Sequence, residues 1–131
     1  MAAFGTWHEA HVAAVRALGS EPGIVAHAGA ETYSVLTRLP PPHRAPPEIV
    51  AGFLEQRFGR RWIGLSPSQH RSLLARLPEL GIAGGSTYDA LIAAAALRAD
   101  ATLVTCDERA LRVYAAIGVD VDLVGERPVS P

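Results

Sequence analysis

The sequence predicts a single α/β domain built on a parallel sheet, and three observations carry that prediction. Short apolar, β-branched runs alternate with segments of helical period, the pattern of parallel strands joined by right-handed helical crossovers. The 131 residues, 49% hydrophobic and 19% charged, suffice for one core and leave no room for a second. Ten prolines and twelve glycines punctuate the apolar runs, so the composition is neither disordered nor collagen-like.

Taken in order, Thr6 and Glu9 have capping-box spacing, and Trp7, Ala10, Ala14 and Leu18 follow at helical period. They predict a first helix over Trp7–Leu18, stopped by Gly19. Gly23–Ala26 reads as a buried strand, followed from Ala28 by a helix that Pro40–Pro42 must end. Pro46-Pro47 opens a helix with Ile49, Val50, Phe53 and Leu54 on its apolar face, and Trp62–Leu65 is the next strand. Ser66 before Pro67 is an N-cap with first-position proline, so Ser68–Leu77 is helical until Pro78. After a loop at Gly81, Gly84 and Gly85, Ser86 caps a helix over Thr87–Ala99. Its core, Ala90–Leu97, is apolar on every face and so buried on more than one side. Thr102–Thr105 is the clearest strand, Glu108–Ile117 the next helix, and Val119–Val124 a final alternating strand.

The same composition narrows function. No apolar run approaches the roughly 18 residues of a membrane span, and the start Met1-Ala2-Ala3-Phe4-Gly5 lacks the basic and apolar regions of a secretory signal. Cytoplasmic residence is the expectation, and Cys106, the sole cysteine, excludes an internal disulfide or a multi-cysteine zinc site. All twelve cations are arginine. Without lysine there is neither a Walker phosphate loop nor Schiff-base chemistry. Residues 44–76 form a basic middle, with Arg44, Arg57, Arg60, Arg61, Arg71 and Arg76 against Glu48 and Glu55. His8 and His11 stand three apart where a zincin helix needs four, and no histidine is placed by sequence beside Cys106 to make it a nucleophile.

Glu31, Asp89 and Asp107 are each placed in, or just before, the first turn of a predicted helix. In a parallel sheet such positions gather at the carboxyl edge of the strands. Three converging carboxylates repel unless a divalent cation neutralises them, and hard oxygen donors suit Mg²⁺ or Mn²⁺. A capping role is open to each acid singly: Ser86–Asp89 has box spacing and Asp107 is an acceptable N-cap.

The stretch Gly84-Gly85-Ser86-Thr87-Tyr88-Asp89-Ala90-Leu91-Ile92-Ala93-Ala94, with Ala101-Thr102-Leu103-Val104-Thr105-Cys106-Asp107, resembles the C-terminal half of PIN-domain ribonucleases, specifically the VapC-type toxins of bacterial toxin–antitoxin pairs. His27–Pro40 looks like that family's second strand-to-helix junction. The resemblance covers nearly the whole chain. It implies a three-layer α/β/α PIN fold spanning 1–131, with Glu31, Asp89 and Asp107 on metal-site positions and Thr105 on the hydroxyl position beside the last acid. It further implies a Mg²⁺- or Mn²⁺-dependent endoribonuclease cleaving structured RNA with a metal-activated water, a cognate antitoxin, and a homodimer.

One departure accompanies the match. The family opens with a short central strand ending in Asp, and this sequence begins inside the following run, at Ala2-Ala3-Phe4, so that strand and its acid are expected to be absent. The alternative function is therefore a catalytically impaired PIN-fold module that binds and titrates an antitoxin. A third is an unrelated α/β protein whose acids are only caps. Arg57, Arg60, Arg61, Arg71 and Arg76 are candidate RNA-backbone contacts, with a solvated surface as the competing role. Ile49, Phe53 and Leu54 are the candidate partner surface, with core packing as theirs.

Overall fold

The computed structural model describes residues 14–16 and 21–124. Five short strands, β1 (Ala14–Arg16), β2 (Gly23–Val25), β3 (Trp62–Ile63), β4 (Thr102–Thr105) and β5 (Val121–Leu123), form one sheet in the order β3-β2-β1-β4-β5. Around it lie α1 (Ala26–Arg38), α2 (Pro47–Phe58), α3 (Pro67–Leu80), α4 (Ser86–Arg98) and α5 (Leu111–Ile117), the last entered through a 3₁₀ turn at Glu108–Ala110. The α/β architecture is as predicted, but the sheet is mixed. β2 pairs with β3 and β4 with β5 in parallel, whereas β1 runs antiparallel to both of its neighbours.

The central position, expected to be empty, is filled by β1, which replaces part of the helix predicted over Trp7–Leu18. The remainder of that helix, with His8 and His11, lies outside the described residues. The physical reason is the slot between β2 and β4, whose facing edges would otherwise carry unpaired backbone groups in the interior. Ala14–Arg16 supplies them with partners, and Val15 packs into the core. The gain from pairing on both sides outweighs the local helical pattern.

α4 is the hub of the packing, contacting β2, β4, α1, α3 and α5. Its fully buried Ala90, Ala93 and Ala96 allow that close approach, while Leu97 at its end is exposed. α3 keeps its predicted start: Ser66 Oγ accepts the Gln69 N–H at 3.2 Å and Gln69 Oε1 accepts the Ser66 N–H at 2.8 Å. It does not stop at Pro78, which lies inside the helix, and ends at Gly81 in the left-handed conformation. The N–H that proline lacks would have bonded the carbonyl of Leu74, an exposed residue where solvent can take its place. Gly29 lets the β3 indole of Trp62 lie across α1, since a Cβ there would collide with the ring. Among the described residues no helix is long and apolar enough to cross a membrane.

Candidate active site

β2 and β4 point the same way on either side of β1. Ala14 pairs with both Ile24 and Val104, so Val25 and Thr105 end at one edge of the sheet. Two strand spacings, about 10 Å, separate those ends, and a site at such an edge can draw on both connections. β2 runs directly into α1, which carries Glu31, and β4 runs through Cys106 to Asp107. α4 starts nearby with Asp89 in its first turn.

The helix-terminus roles open to these acids are only partly used. α1 begins at Ala26 rather than Ala28, which moves Glu31 out of the first turn, where helix-dipole stabilisation is concentrated. The capping box expected from Ser86 to Asp89 does not form: Ser86 is itself helical, Gly85 occupies the N-cap, and no side chain bonds the first turn. Asp107 alone caps, its Oδ1 accepting the Arg109 N–H at 3.0 Å. The Arg109 guanidinium stands 3.5 Å from the same oxygen.

Electrostatics bring the three acids into one system. The Asp89 carboxyl is raised above its ordinary value of 3.8, first by burial and then by the negative charges of Asp107 and Glu31, with Arg109 opposing. Beneath them, buried Thr105 accepts the Asp107 N–H on Oγ1 at 3.1 Å and shares a side-chain hydrogen bond with Tyr114. Tyr114, 2% exposed, has its hydroxyl pushed up to about 12, by burial first and then by the charge of Asp89, so it remains a neutral O–H at ordinary pH. On the outer side, His27 stacks on Tyr88 with parallel rings 4.9 Å apart, and its Nε2 stands 3.7 Å from Glu31 Oε2.

A PIN-domain family model matches residues 1–116. The chain belongs to the PIN-domain family. It is 47% identical over 124 residues to Ribonuclease VapC40 of Mycobacterium tuberculosis, in strains H37Rv and CDC 1551, covering 95% of this chain and 92% of the relative. It is 44% identical over 115 residues to Ribonuclease VapC27 of strain H37Rv, covering 87% and 83%. No solved structure matches.

The remaining residues singled out in this PIN domain divide by position. Arg57 and Arg60, at the end of α2 and beyond, and Arg71 and Arg76, on α3, are exposed. Arg61 is half-buried and structurally engaged, donating from Nε to the Pro22 carbonyl at 2.8 Å and from Nη2 to the Arg57 carbonyl at 2.9 Å, beside Glu21 at 3.2 Å. Its bonds tie the loop before β2 to the end of α2, so it is less free than the other four to meet a phosphate. On α2, Ile49 is exposed and Phe53 half-buried, but Leu54 turns into the core, four residues after Val50 on the buried face. Leu54 therefore leaves the candidate partner surface.

His27, Tyr88, Tyr114 and Arg109 were not singled out as site residues. Tyr88 and Arg109 adjoin predicted acids, and His27 precedes Glu31 by one helical turn, a signal available in the spacing. Tyr114 carries no such signal, because its approach to Thr105 depends on how α5 folds back. The donor set suits a divalent cation: hard carboxylate oxygens, half-exposed at Glu31 and Asp107, whose mutual repulsion is opposed at Asp89 by Arg109. Among the described residues no three His, Cys, Asp or Glu side chains close into a metal cage, so the carboxylates act on one another without meeting.

Proposed function

We propose that this PIN-domain chain is a Mg²⁺- or Mn²⁺-dependent endoribonuclease that cleaves structured RNA, the toxin of a toxin–antitoxin pair. The ribonuclease names of its relatives support the activity, and the arrival of β2 and β4 at one sheet edge beside the start of α4, with the charges of Asp107 and Glu31 felt at Asp89, supports the site assignment. Burial and two like charges there make a negative centre that Arg109 only partly offsets and that a hard divalent cation would relieve.

Glu31, Asp89 and Asp107 would hold the ion, which supplies an acidified water and charge neutralisation at the phosphate. Thr105 and Tyr114 act from below. By accepting the Asp107 N–H, the threonine hydroxyl fixes the turn leaving β4 and with it the direction of the Asp107 carboxylate. Arg109 contributes a positive charge at the same carboxylate, positioned to limit repulsion against an incoming phosphate. In this reading the exposed arginines of α2 and α3 follow the RNA backbone, a cognate antitoxin blocks the site, and the chain works as a homodimer.

RNA cleavage by the purified chain, with and without Mg²⁺ or Mn²⁺, tests the reading against an Asp89→Ala control prepared identically. Cleavage that requires the metal and disappears in the control is expected. Equal cleavage by the control, or none by the folded chain, overturns the catalytic assignment. In the latter case antitoxin binding alone would favour the titrating module.

A further inference from the structure

Tyr88 immediately precedes Asp89, yet the residue is 50% exposed at the start of α4. Tyr88 is not loose. His27, from α1, lies parallel to it at a centroid separation of 4.9 Å, a stacked geometry that covers one side of the ring. With His27 on one side and half the residue still accessible, the phenol keeps surface open to a second ring. His27 is itself held beside the acids: its Nε2 is shielded from solvent, makes no hydrogen bond, and lies 3.7 Å from Glu31 Oε2. Two helices thus present a braced aromatic surface at the rim of the three-carboxylate site.

The charge of the site explains why an aromatic surface would be useful there. Glu31, Asp89 and Asp107 repel a polyanion wherever the ion is not interposed, so electrostatic grip close to the acids is poor. A nucleobase has a π-face of no net charge and can be held by stacking on an aromatic side chain, the mode by which proteins bind unstacked bases of single-stranded or looped RNA. We infer that the face of Tyr88 opposite His27 is a stacking platform for an unpaired RNA base next to the phosphate to be cleaved. Tyr88 is then a positioning residue: it grips the substrate and places the adjoining phosphate at the carboxylates. The inference rests on the ribonuclease reading and narrows it to RNA that offers an unpaired base at the cleavage point.

The test separates the two. Binding of the chain to a short fluorescent single-stranded RNA is measured in EDTA at low salt, where no cleavage occurs. A matched oligonucleotide with consecutive abasic ribose units serves as comparison. Tyr88→Leu is expected to weaken binding of the base-bearing RNA by about 5- to 140-fold, the range of one base–aromatic stack. It should leave the abasic oligonucleotide unaffected, and Tyr88→Phe should restore the lost affinity. Tyr88→Leu should likewise raise KM for cleavage far more than it lowers kcat. A merely structural tyrosine would affect both oligonucleotides alike. Equal affinity of wild type and Tyr88→Leu for the base-bearing RNA, an equal loss on both RNAs, or no base-dependent binding by the wild type overturns the platform. Failure of the ribonuclease reading appears separately, as base-dependent binding without metal-dependent cleavage.

Discussion

Replacing Thr105 with valine tests the idea that a buried hydroxyl, more than the acids themselves, sets the shape of the site. The side chains are nearly equal in volume, so the change removes one oxygen from two hydrogen bonds and little else. Tyr114, buried, loses its side-chain partner, and a buried polar group left unsatisfied costs about 1–3 kcal/mol. The Asp107 N–H is only partly buried, so its loss is nearer an ordinary net hydrogen bond, about 0.5–1.5 kcal/mol. The added methyl group returns about 0.8 kcal/mol through burial. The expected net destabilisation is therefore about 1–3.5 kcal/mol, a large part of the roughly 5–15 kcal/mol that holds a domain folded. Urea unfolding of Thr105→Val, Tyr114→Phe and the double variant measures it. Removing both partners leaves no orphan on the tyrosine side, so the double variant should be more stable than the two single losses added together, by about 1 kcal/mol or more. Cleavage should fall in Thr105→Val and be retained in Thr105→Ser. Thr105→Val within 0.5 kcal/mol of wild type, or strict additivity in the cycle, would refute the reasoning.

Four further outcomes follow from the same structure. A Cβ at Gly23 would lie 2.5 Å from the Arg61 carbonyl oxygen, so Gly23→Ala should cost about 1–3 kcal/mol by chemical denaturation, whereas Gly52→Ala, with open space around it in α2, should gain about 0.5–1 kcal/mol. The Tyr114 hydroxyl, raised to about 12 in the fold against 10 when unfolded, ionises first in the unfolded chain. Stability should then drop between pH 10 and 12, by at most about 3 kcal/mol, and Tyr114→Phe should lack that drop. Asp89 likewise has a raised folded value, so its charging destabilises the metal-free fold as pH rises above 3.8. Asp89→Asn should be more stable than wild type near neutrality and lose that advantage in acid. Mn²⁺ at a hundredfold excess over its Kd should stabilise the wild type by about 2.7 kcal/mol and the variant by much less, as thermal unfolding would show.

Much of this site was legible because its signals are local. Short β-branched runs between turn residues mark Thr102–Thr105, whose observed ends coincide with those expected, and Ser66-Pro67 announces the start of α3 through capping chemistry confined to four residues. Glu31 and Asp107 stand out in the sequence for the same reason, since each follows a strand into its helix, whereas Asp89 opens a helix reached through the loop after α3. Boundaries failed where a neighbour overrode local preference. Pro78 stays helical because the bond it forfeits faces water, and Ser86 joins α4 instead of capping it.

The chain of residues by itself determined the α/β class, because periodicity, capping and spacing act over a few neighbours, and its motifs around Asp89 and Asp107 carried the likeness to the PIN family. Only the tertiary structure decided that Ala14–Arg16 would complete the sheet, running against its neighbours, and that Leu54 would face inward. It alone set Tyr114 under Thr105 and braced Tyr88 with His27 from another helix. Those contacts join residues 8 to 90 positions apart, and the free energy that selects them comes from filling an unpaired strand slot and satisfying buried polar groups. These demands exist only once the rest of the molecule has assembled.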